Sequence, residues 1–305
     1  MRIFLFLCLL VLLFSCTSRE EFVIELNLQK GESYWQETIN SNLVTTKMPT
    51  FTNESGSEQK TRINFSVDES AEGLFHVTAF FEEVEIKLMG EAEHLEEMEE
   101  LFEKTSEFQE LLREINFGFT ISSKGKIIEI RDFDSVVQGL DDYFKSLLPA
   151  EQLPAAKLYG FLDESFFLEA MNISMAFYPD APKRIGDSWS KETTMEGMLN
   201  MTINSDYTLK KVDESYFYID VAGKVDFDLE GSFFKMLNEM GNVELSGEVF
   251  GSMKVERSSG WVIDSEMTQT GDIVMLMEFP GGGEEVNEVR TLNSMKSKVK
   301  GGLVK

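Results

Sequence analysis

The chain is poor in the residues that most often carry out catalysis or bind metals. Its 305 residues include two cysteines, Cys8 and Cys16, and two histidines, His76 and His94. This count excludes a zinc site made of cysteine and histidine ligands. The sequence contains no G-x-S-x-G nucleophile motif and no G-x-x-x-x-G-K-[ST] phosphate loop. His76 falls on the polar side of a strand pattern and His94 in an acidic stretch, so both are interpreted as exposed. We therefore expect no enzyme, no cofactor and no metal.

Basic residues are also scarce, which limits the choice of partners. There are 28 lysines and arginines against 54 aspartates and glutamates, giving a net charge of −26. Such a charge repels phosphate backbones and anionic lipid headgroups. We therefore expect no binding of nucleic acid and no adhesion of the protein body to anionic lipid.

The apolar run at the N terminus is too short to cross a bilayer well. Residues 3–14 read IFLFLCLLVLLF, whereas a membrane-spanning helix needs about 20 apolar residues. With Arg2 in front, the run is typical of a secretory signal peptide. It continues into LFSC (13–16), which resembles the lipobox of bacterial lipoproteins, although Phe14 is bulky for its position. The resemblance implies cleavage after residue 15 and attachment of lipid, including palmitate, to Cys16.

The cysteine count agrees with lipidation. Cys8 would leave with the signal peptide and Cys16 would be the single remaining thiol, so no internal disulfide is possible. An ordinary secretory signal with an incidental cysteine is the alternative. Thr17 stands where an inner-membrane retention signal would have aspartate, and Glu20-Glu21 resemble the surface-export signal of Bacteroidota lipoproteins. We therefore expect a lipid-anchored protein of the cell envelope at the outer membrane, facing either the periplasm or the surface.

Alternation of apolar and polar residues predicts strands over most of the chain. The pattern is clearest between residues 199 and 277, where the apolar residues keep to odd positions. This is typical of antiparallel strands with one buried face. In the first half the parity slips at Glu82-Glu83, which predicts a β-bulge.

Two pairs of short motifs indicate an internal duplication. KGESYW (30–35) is similar to IGDSWS (185–190), and SKGKIIE (123–129) is similar to SSGWVID (258–264). The alternative is chance recurrence of glycine turns in a β protein. Each Gly-acid-Ser-aromatic motif is interpreted as a turn that opens a strand, with the aromatic ring packed inside. We expect a first β repeat at 31–131 and a second at 179–280.

Helical patterns interrupt the strands and complete the predicted fold. An amphipathic helix with an acidic outer face is expected at 91–114, and central helices at 132–178. We therefore predict an α+β fold, mainly antiparallel β: a large curved sheet from two related halves with helices packed on one face. The remaining segments are the signal peptide (1–15), a lipidated N-terminus and tether (16–30), and a C-terminal strand with a frayed basic tail (281–305).

KGESYW, the central helices and the pattern P-x-x-P-x-x-x-GDSW (179–189) resemble a family of uncharacterised Bacteroidota lipoproteins with a domain of unknown function. The resemblance would extend over nearly all of the chain after the signal peptide. It implies a lipoprotein and supplies no activity, so it assigns no role to any residue.

Two stretches partly resemble metal-binding motifs. DFDLEG (226–231) matches the first half of an EF-hand loop, but the position that should hold a bidentate glutamate is Leu237. The stretch is better interpreted as an exposed strand face. Met195, Met198 and Met201 are spaced by three and would alternate between the faces of a strand, so a copper site is not expected.

The abundance of soft apolar residues suggests a function. The chain has 25 phenylalanines and 16 methionines, which can form the lining of a pocket for an apolar ligand. We therefore expect non-enzymatic binding of a hydrophobic ligand or lipid in the cell envelope. The alternative is a structural or protein-interaction module with a fully packed core, whose partner would be an envelope protein. A hydrolase with paired carboxylates is the third candidate.

Overall fold

The computed structural model describes residues 20–89, 116–132, 177–195, 201–227, 242–278 and 286–304, with a few isolated positions between them. These residues form one antiparallel sheet of eleven strands. The strands are β1 (Ser33–Lys47), β2 (Thr52–Ala71), β3 (Leu74–Met89), β4 (Asn116–Ser122), β5 (Ile127–Arg131), β6 (Ser188–Met195), β7 (Met201–Val212), β8 (Tyr216–Phe227), β9 (Asn242–Glu256), β10 (Val262–Glu278) and β11 (Val286–Leu303).

The sheet consists of two five-stranded meanders joined by the last strand. Its order is β5-β4-β3-β2-β1-β11-β10-β9-β8-β7-β6, so β11 lies between β1 and β10. Gly31 and Gly186 precede the first strand of each meander, and Gly125 and Gly260 lie in the turn before the last strand of each. All four have a positive φ, between 74° and 95°. The repeated strand order, with the paired motifs in equivalent places, is the arrangement that an internal duplication produces.

The predicted α+β fold class, with helices packed on one face of the sheet, is wrong. The described residues are almost all antiparallel strand, and they form a single open sheet. Inward side chains of distant strands meet one another: the ring of Phe65 on β2 lies 5.2 Å from that of Trp261, which precedes β10. The predicted helix at 91–114 and most of the central helices at 132–178 lie outside the described residues.

Local features of the strands follow the sequence closely. On β8, Phe217, Ile219 and Val221 are buried in alternation with more exposed neighbours, which confirms the period of two. The predicted bulge is also confirmed, because Arg62 pairs with Glu83 and the next residue of β2 pairs with Phe81, leaving Glu82 extra.

Both Gly-acid-Ser-aromatic motifs open a strand, as predicted. β1 begins at Ser33 and β6 at Ser188. The aromatic residues that follow, Tyr34 and Trp189, are buried, and the Trp189 indole donates a hydrogen bond of 2.6 Å to the carbonyl of Phe177.

Both ends of the described chain are more ordered than the sequence suggested. Residues 22–28, which the sequence places in a tether, run extended across one end of the sheet, and every second side chain is buried. We call residues 22–28 the strap. The expectation of a frayed basic tail is wrong. Lys296, Lys298 and Lys300 belong to β11, whose backbone pairs with β1 on one side and with β10 on the other.

Candidate ligand cavity

A cavity of about 670 Å³ lies on the inward face of the sheet. This volume falls within the range of about 300–1,000 Å³ that is usual for small-molecule sites. On β7 the lining extends from Met201 to Tyr207, a length of roughly 20 Å at the rise of an antiparallel strand. The described lining residues are Leu26, Gln36, Thr38, Asn40, Met175, Phe177, Tyr178, Met201, Ile203, Ser205, Tyr207, Val221, Val249, Met253, Trp261, Val262, Ser265, Met267, Gln269, Met295, Ser297 and Val299.

None of these described lining residues is charged, although the chain holds 54 acidic and 28 basic residues. The alternation of the strands explains the separation, because charged side chains take the opposite face. There Lys60 pairs with Glu83 at 2.7 Å and Lys298 with Glu266 at 2.8 Å. The inward face is left with apolar and neutral polar groups.

One wall of the cavity is mostly apolar. It is formed by β7, β8 and β9, from which Met201, Ile203, Val221, Val249 and Met253 contribute, with Ser205 and Tyr207 of β7 as its polar groups. Methionine side chains are unbranched and polarisable, so they adapt to ligands of different shape.

The opposite wall is polar but neutral. Gln36, Thr38 and Asn40 follow one another on the inward face of β1. Ser297 of β11 is the register partner of Asn40. The row continues to Asn42, whose Oδ1 atom is buried and has no hydrogen-bond partner within the described part of the chain.

The strap forms the floor of the cavity by bridging the two repeats. The amide of Leu26 donates to the carbonyl of Ser123 in the first repeat, and the amide of Asn27 donates to the carbonyl of Ser259 in the second, both at 2.8 Å. Glu25 adds an ion pair with Lys124 at 3.0 Å. Leu26 itself lines the cavity.

The segment before each repeat packs against a turn of the other repeat. A Cβ atom at Gly260, in the second repeat, would lie 2.1 Å from the carbonyl oxygen of Glu25, just before the first repeat. A Cβ atom at Gly125, in the first repeat, would lie 2.0 Å from the carbonyl oxygen of Met175, just before the second. The Tyr178 hydroxyl donates to the carbonyl of Gly260 at 2.9 Å. Only glycine, which has no Cβ atom, leaves room for the backbone to pass this close to either turn.

Aromatic packing completes the floor. The Trp261 ring lies 5.0 Å from the Tyr34 ring, and its indole donates to the carbonyl of Trp35 at 3.3 Å. Burial raises the pKa of Tyr178 and of Tyr207, both of which line the cavity. Burial, and secondly a hydrogen bond to Glu32, raises the pKa of Tyr34. These phenols therefore stay neutral, and the described lining carries no charge at neutral pH.

Of the candidate catalytic, lipid-attachment and metal-binding residues in the sequence, Met201 lines this cavity, and the others are not among its described lining. Cys16 and His94 are outside them, so lipidation of Cys16 stays a prediction. His76 lies on β3, with its Nδ1 atom 2.9 Å from the Thr120 hydroxyl oxygen and on the opposite strand parity from the buried Phe75 and Val77. Of the three methionines, Met195 and Met201 are register partners on β6 and β7, and Met198 is outside the described residues.

The stretch DFDLEG is described for its first two residues, which end β8. Across the described ranges, no cluster of three potential metal ligands occurs. Nor does any helix there have the length and apolar character needed to span a membrane.

Sequence reasoning missed the polar wall. The residues of β1 that line the cavity are neutral polar, whereas outward positions include Trp35, Ile39 and Leu43. This reversal hides the strand from a search for alternating apolar residues. The signal that remained is composition, since β1 from Thr38 onward contains no acidic residue in a strongly acidic chain.

Solved structures show only distant likeness. A lipovitellin structure, titled for its lipid–protein interactions, matches 91% of this chain at 11% identity and a TM-score of 0.48, and this chain covers 26% of that one. Neisserial surface protein A matches 88% at 7% identity and a TM-score of 0.20, with 96% of that chain covered. An outer membrane channel from Pseudomonas putida F1 matches 90% at 8% identity and a TM-score of 0.21, with 97% covered. Likeness at this level carries no functional argument.

No curated protein matches the sequence. A family model matches residues 80–262, which is more than half of the chain. The matched region extends from the bulged strand of the first repeat to the last turn of the second. The chain therefore belongs to the family of unknown function DUF6263.

Proposed function

We propose that this protein binds an apolar or amphiphilic small molecule in the cavity under its sheet, without catalysis, as a component of the cell envelope. The observation that carries the proposal is the uncharged lining. A cavity of about 670 Å³ whose described residues include no charge, in a chain with a net charge of −26, suits a ligand that leaves water because it is apolar.

The lining favours binding over chemistry. Ser205, Ser265 and Ser297 face the cavity, but nucleophilic use of a serine requires a base within hydrogen-bond distance. His76, the described histidine, lies on the opposite strand parity from the buried residues of β3, and no carboxylate belongs to the described lining. The proposal is therefore a carrier or receptor rather than an enzyme. A cavity of this size also argues against a protein-interaction module with a fully packed core.

The envelope location and the lipid on Cys16 remain part of the proposal on the strength of the N-terminal sequence. Lipidation would hold the strap, and with it the floor of the cavity, close to a membrane. Phe22 is six positions after Cys16, which is at most about 21 Å of extended chain.

Binding of the neutral apolar fluorophore N-phenyl-1-naphthylamine to the full chain, as processed by the producing cell and held in amphipol, tests the proposal. Ser297→Phe places a ring inside the cavity, and Ser252→Phe places the same ring at an exposed position on β9. We expect Ser297→Phe to weaken binding roughly tenfold, equivalent to about 1.4 kcal/mol, and Ser252→Phe to leave it unchanged. Fluorescence no higher than that of amphipol alone, or equal binding by both variants, would refute the proposed function.

A further inference from the structure

The two walls of the cavity differ in chemistry, and this difference specifies the class of ligand. We infer that the ligand is an uncharged acyl lipid that carries free hydroxyl groups, as a monoacylglycerol does. The inference rests on the proposed function, since it assigns the substrate class of the same cavity.

The polar wall presents groups that match hydroxyls. Gln36 and Asn40 each have an amide that can both donate and accept hydrogen bonds, and Thr38 and Ser297 have hydroxyls with the same double capacity. A ligand hydroxyl, which also donates and accepts, can pair with any of them. The contact between the Gln36 amide nitrogen and the Thr38 hydroxyl is long, at 3.5 Å, so this row keeps most of its hydrogen-bonding capacity.

Asn42 extends the polar row of β1 by one more inward position. Its Oδ1 atom is buried and accepts no hydrogen bond from the described residues, so it keeps its capacity as an acceptor. Asn42 stands two residues beyond Asn40 on the same face of β1, about 7 Å further along the strand. A hydroxyl-bearing headgroup at this end of the polar row would supply the donor.

The apolar wall fits an acyl chain. It extends roughly 20 Å along β7, and the hydrocarbon core of a bilayer is about 30 Å thick, or about 15 Å for each leaflet. A single chain of membrane length can therefore lie against Met201, Ile203 and Val221, while the polar groups of β1 line the same cavity.

The cavity disfavours both anionic and cationic lipids. No lysine, arginine or histidine is among the described lining residues, so nothing there would neutralise a carboxylate or phosphate. The net charge of −26 adds a repulsive field. A cationic amphiphile would likewise find no carboxylate there.

Displacement of N-phenyl-1-naphthylamine from the full chain by monolaurin, laurate and dodecane, which share one chain length, tests the ligand class. We expect monolaurin to displace the probe roughly tenfold more effectively than either of the others. Equal or better displacement by laurate would overturn the exclusion of charge. Equal displacement by dodecane would show that the polar wall does not bind the ligand. Failure of the proposed function is a different result, in which the probe itself does not bind.

Variants on the polar wall separate this role from a structural one. Asn42→Leu is expected to remove the preference for monolaurin over dodecane while leaving displacement by dodecane intact. Ser41→Leu, the neighbouring position on the opposite face of β1, is the matched control and is expected to keep the preference. If Asn42→Leu does not fold, Asn40→Leu makes an equivalent change on the same strand at a lining position. A preference unchanged in the folded polar-wall variant would overturn the inference.

Discussion

Replacing Gly260 with alanine tests whether the close backbone contact between the strap and the Gly260 turn stabilises the protein. Gly260 has a φ of +74°, and a Cβ atom there would meet the carbonyl oxygen of Glu25 at 2.1 Å and its carbonyl carbon at 2.7 Å. Both obstacles are backbone atoms of the strap, so they cannot move aside as a flexible side chain would. The alanine must displace the strap or distort the turn.

The expected cost has two parts. An L-residue in the left-handed region costs about 1–2 kcal/mol, and forcing extra atoms into a packed site costs typically about 1–3 kcal/mol. Gly31→Ala is the matched control, because Gly31 has a φ of +84° with nothing within 4 Å of the added Cβ. We therefore expect the free energy of unfolding to fall by roughly 2–5 kcal/mol in Gly260→Ala, but by only about 1–2 kcal/mol in Gly31→Ala.

Urea unfolding of the full chain, followed by tryptophan fluorescence, measures both changes, since Trp261 is adjacent to Gly260 and is buried. Gly125→Ala, the equivalent change in the first repeat, is expected to behave like Gly260→Ala. Equal destabilisation by Gly260→Ala and Gly31→Ala would refute the reasoning.

Two further predictions concern buried tyrosines. Tyr178→Phe removes the hydrogen bond to the Gly260 carbonyl and is expected to lower the free energy of unfolding by about 1–2 kcal/mol. Tyr216→Phe, on the outward face of β8, is the control and is expected to leave the free energy of unfolding unchanged. Equal effects of the two variants in urea unfolding would contradict this prediction. Burial raises the pKa of Tyr34 and of Tyr178 in the folded chain, so their contribution to stability is complete below the unfolded pKa of about 10 and is lost as pH rises above it. Ultraviolet titration should show these two phenols ionising together with unfolding, and ionisation with the exposed tyrosines in a folded chain would contradict the assignment.

The parts of the fold that could be predicted are those set by local pattern. The alternation on β8 and the extra residue at Glu82 follow from the pleat, in which one added residue reverses the faces of a strand. Gly31 and Gly186 could be read as turns before strands because a positive φ is nearly confined to glycine. These features depend on neighbours in the sequence, so one chain is enough to find them.

The parts that could not be predicted depend on partners far along the chain. The strap alternates apolar and polar residues from Phe22 to Leu28, which resembles any short strand, and only its contacts with Ser123 and Ser259 show that it is a floor. Lys296 and Lys298 look like part of a soluble tail until β1 and β10 are seen on either side. The polar wall of the cavity has the same origin, because the neutral side chains of β1 form a wall only together with residues of distant strands, such as Met201 and Val221.

The strap also has a consequence for the order of folding. The Asn27 side chain donates to the carbonyl of Ser258, 231 positions further along the chain, and β1 pairs with β11 near the C terminus. Closing a loop of that length must precede any gain from the contacts that it permits. The hairpins of the first five strands need only local contacts and can form early, whereas β1 gains its second neighbour, β11, only with the last residues of the chain. A chain that ends before β11 therefore lacks the strand that joins the two halves of the sheet.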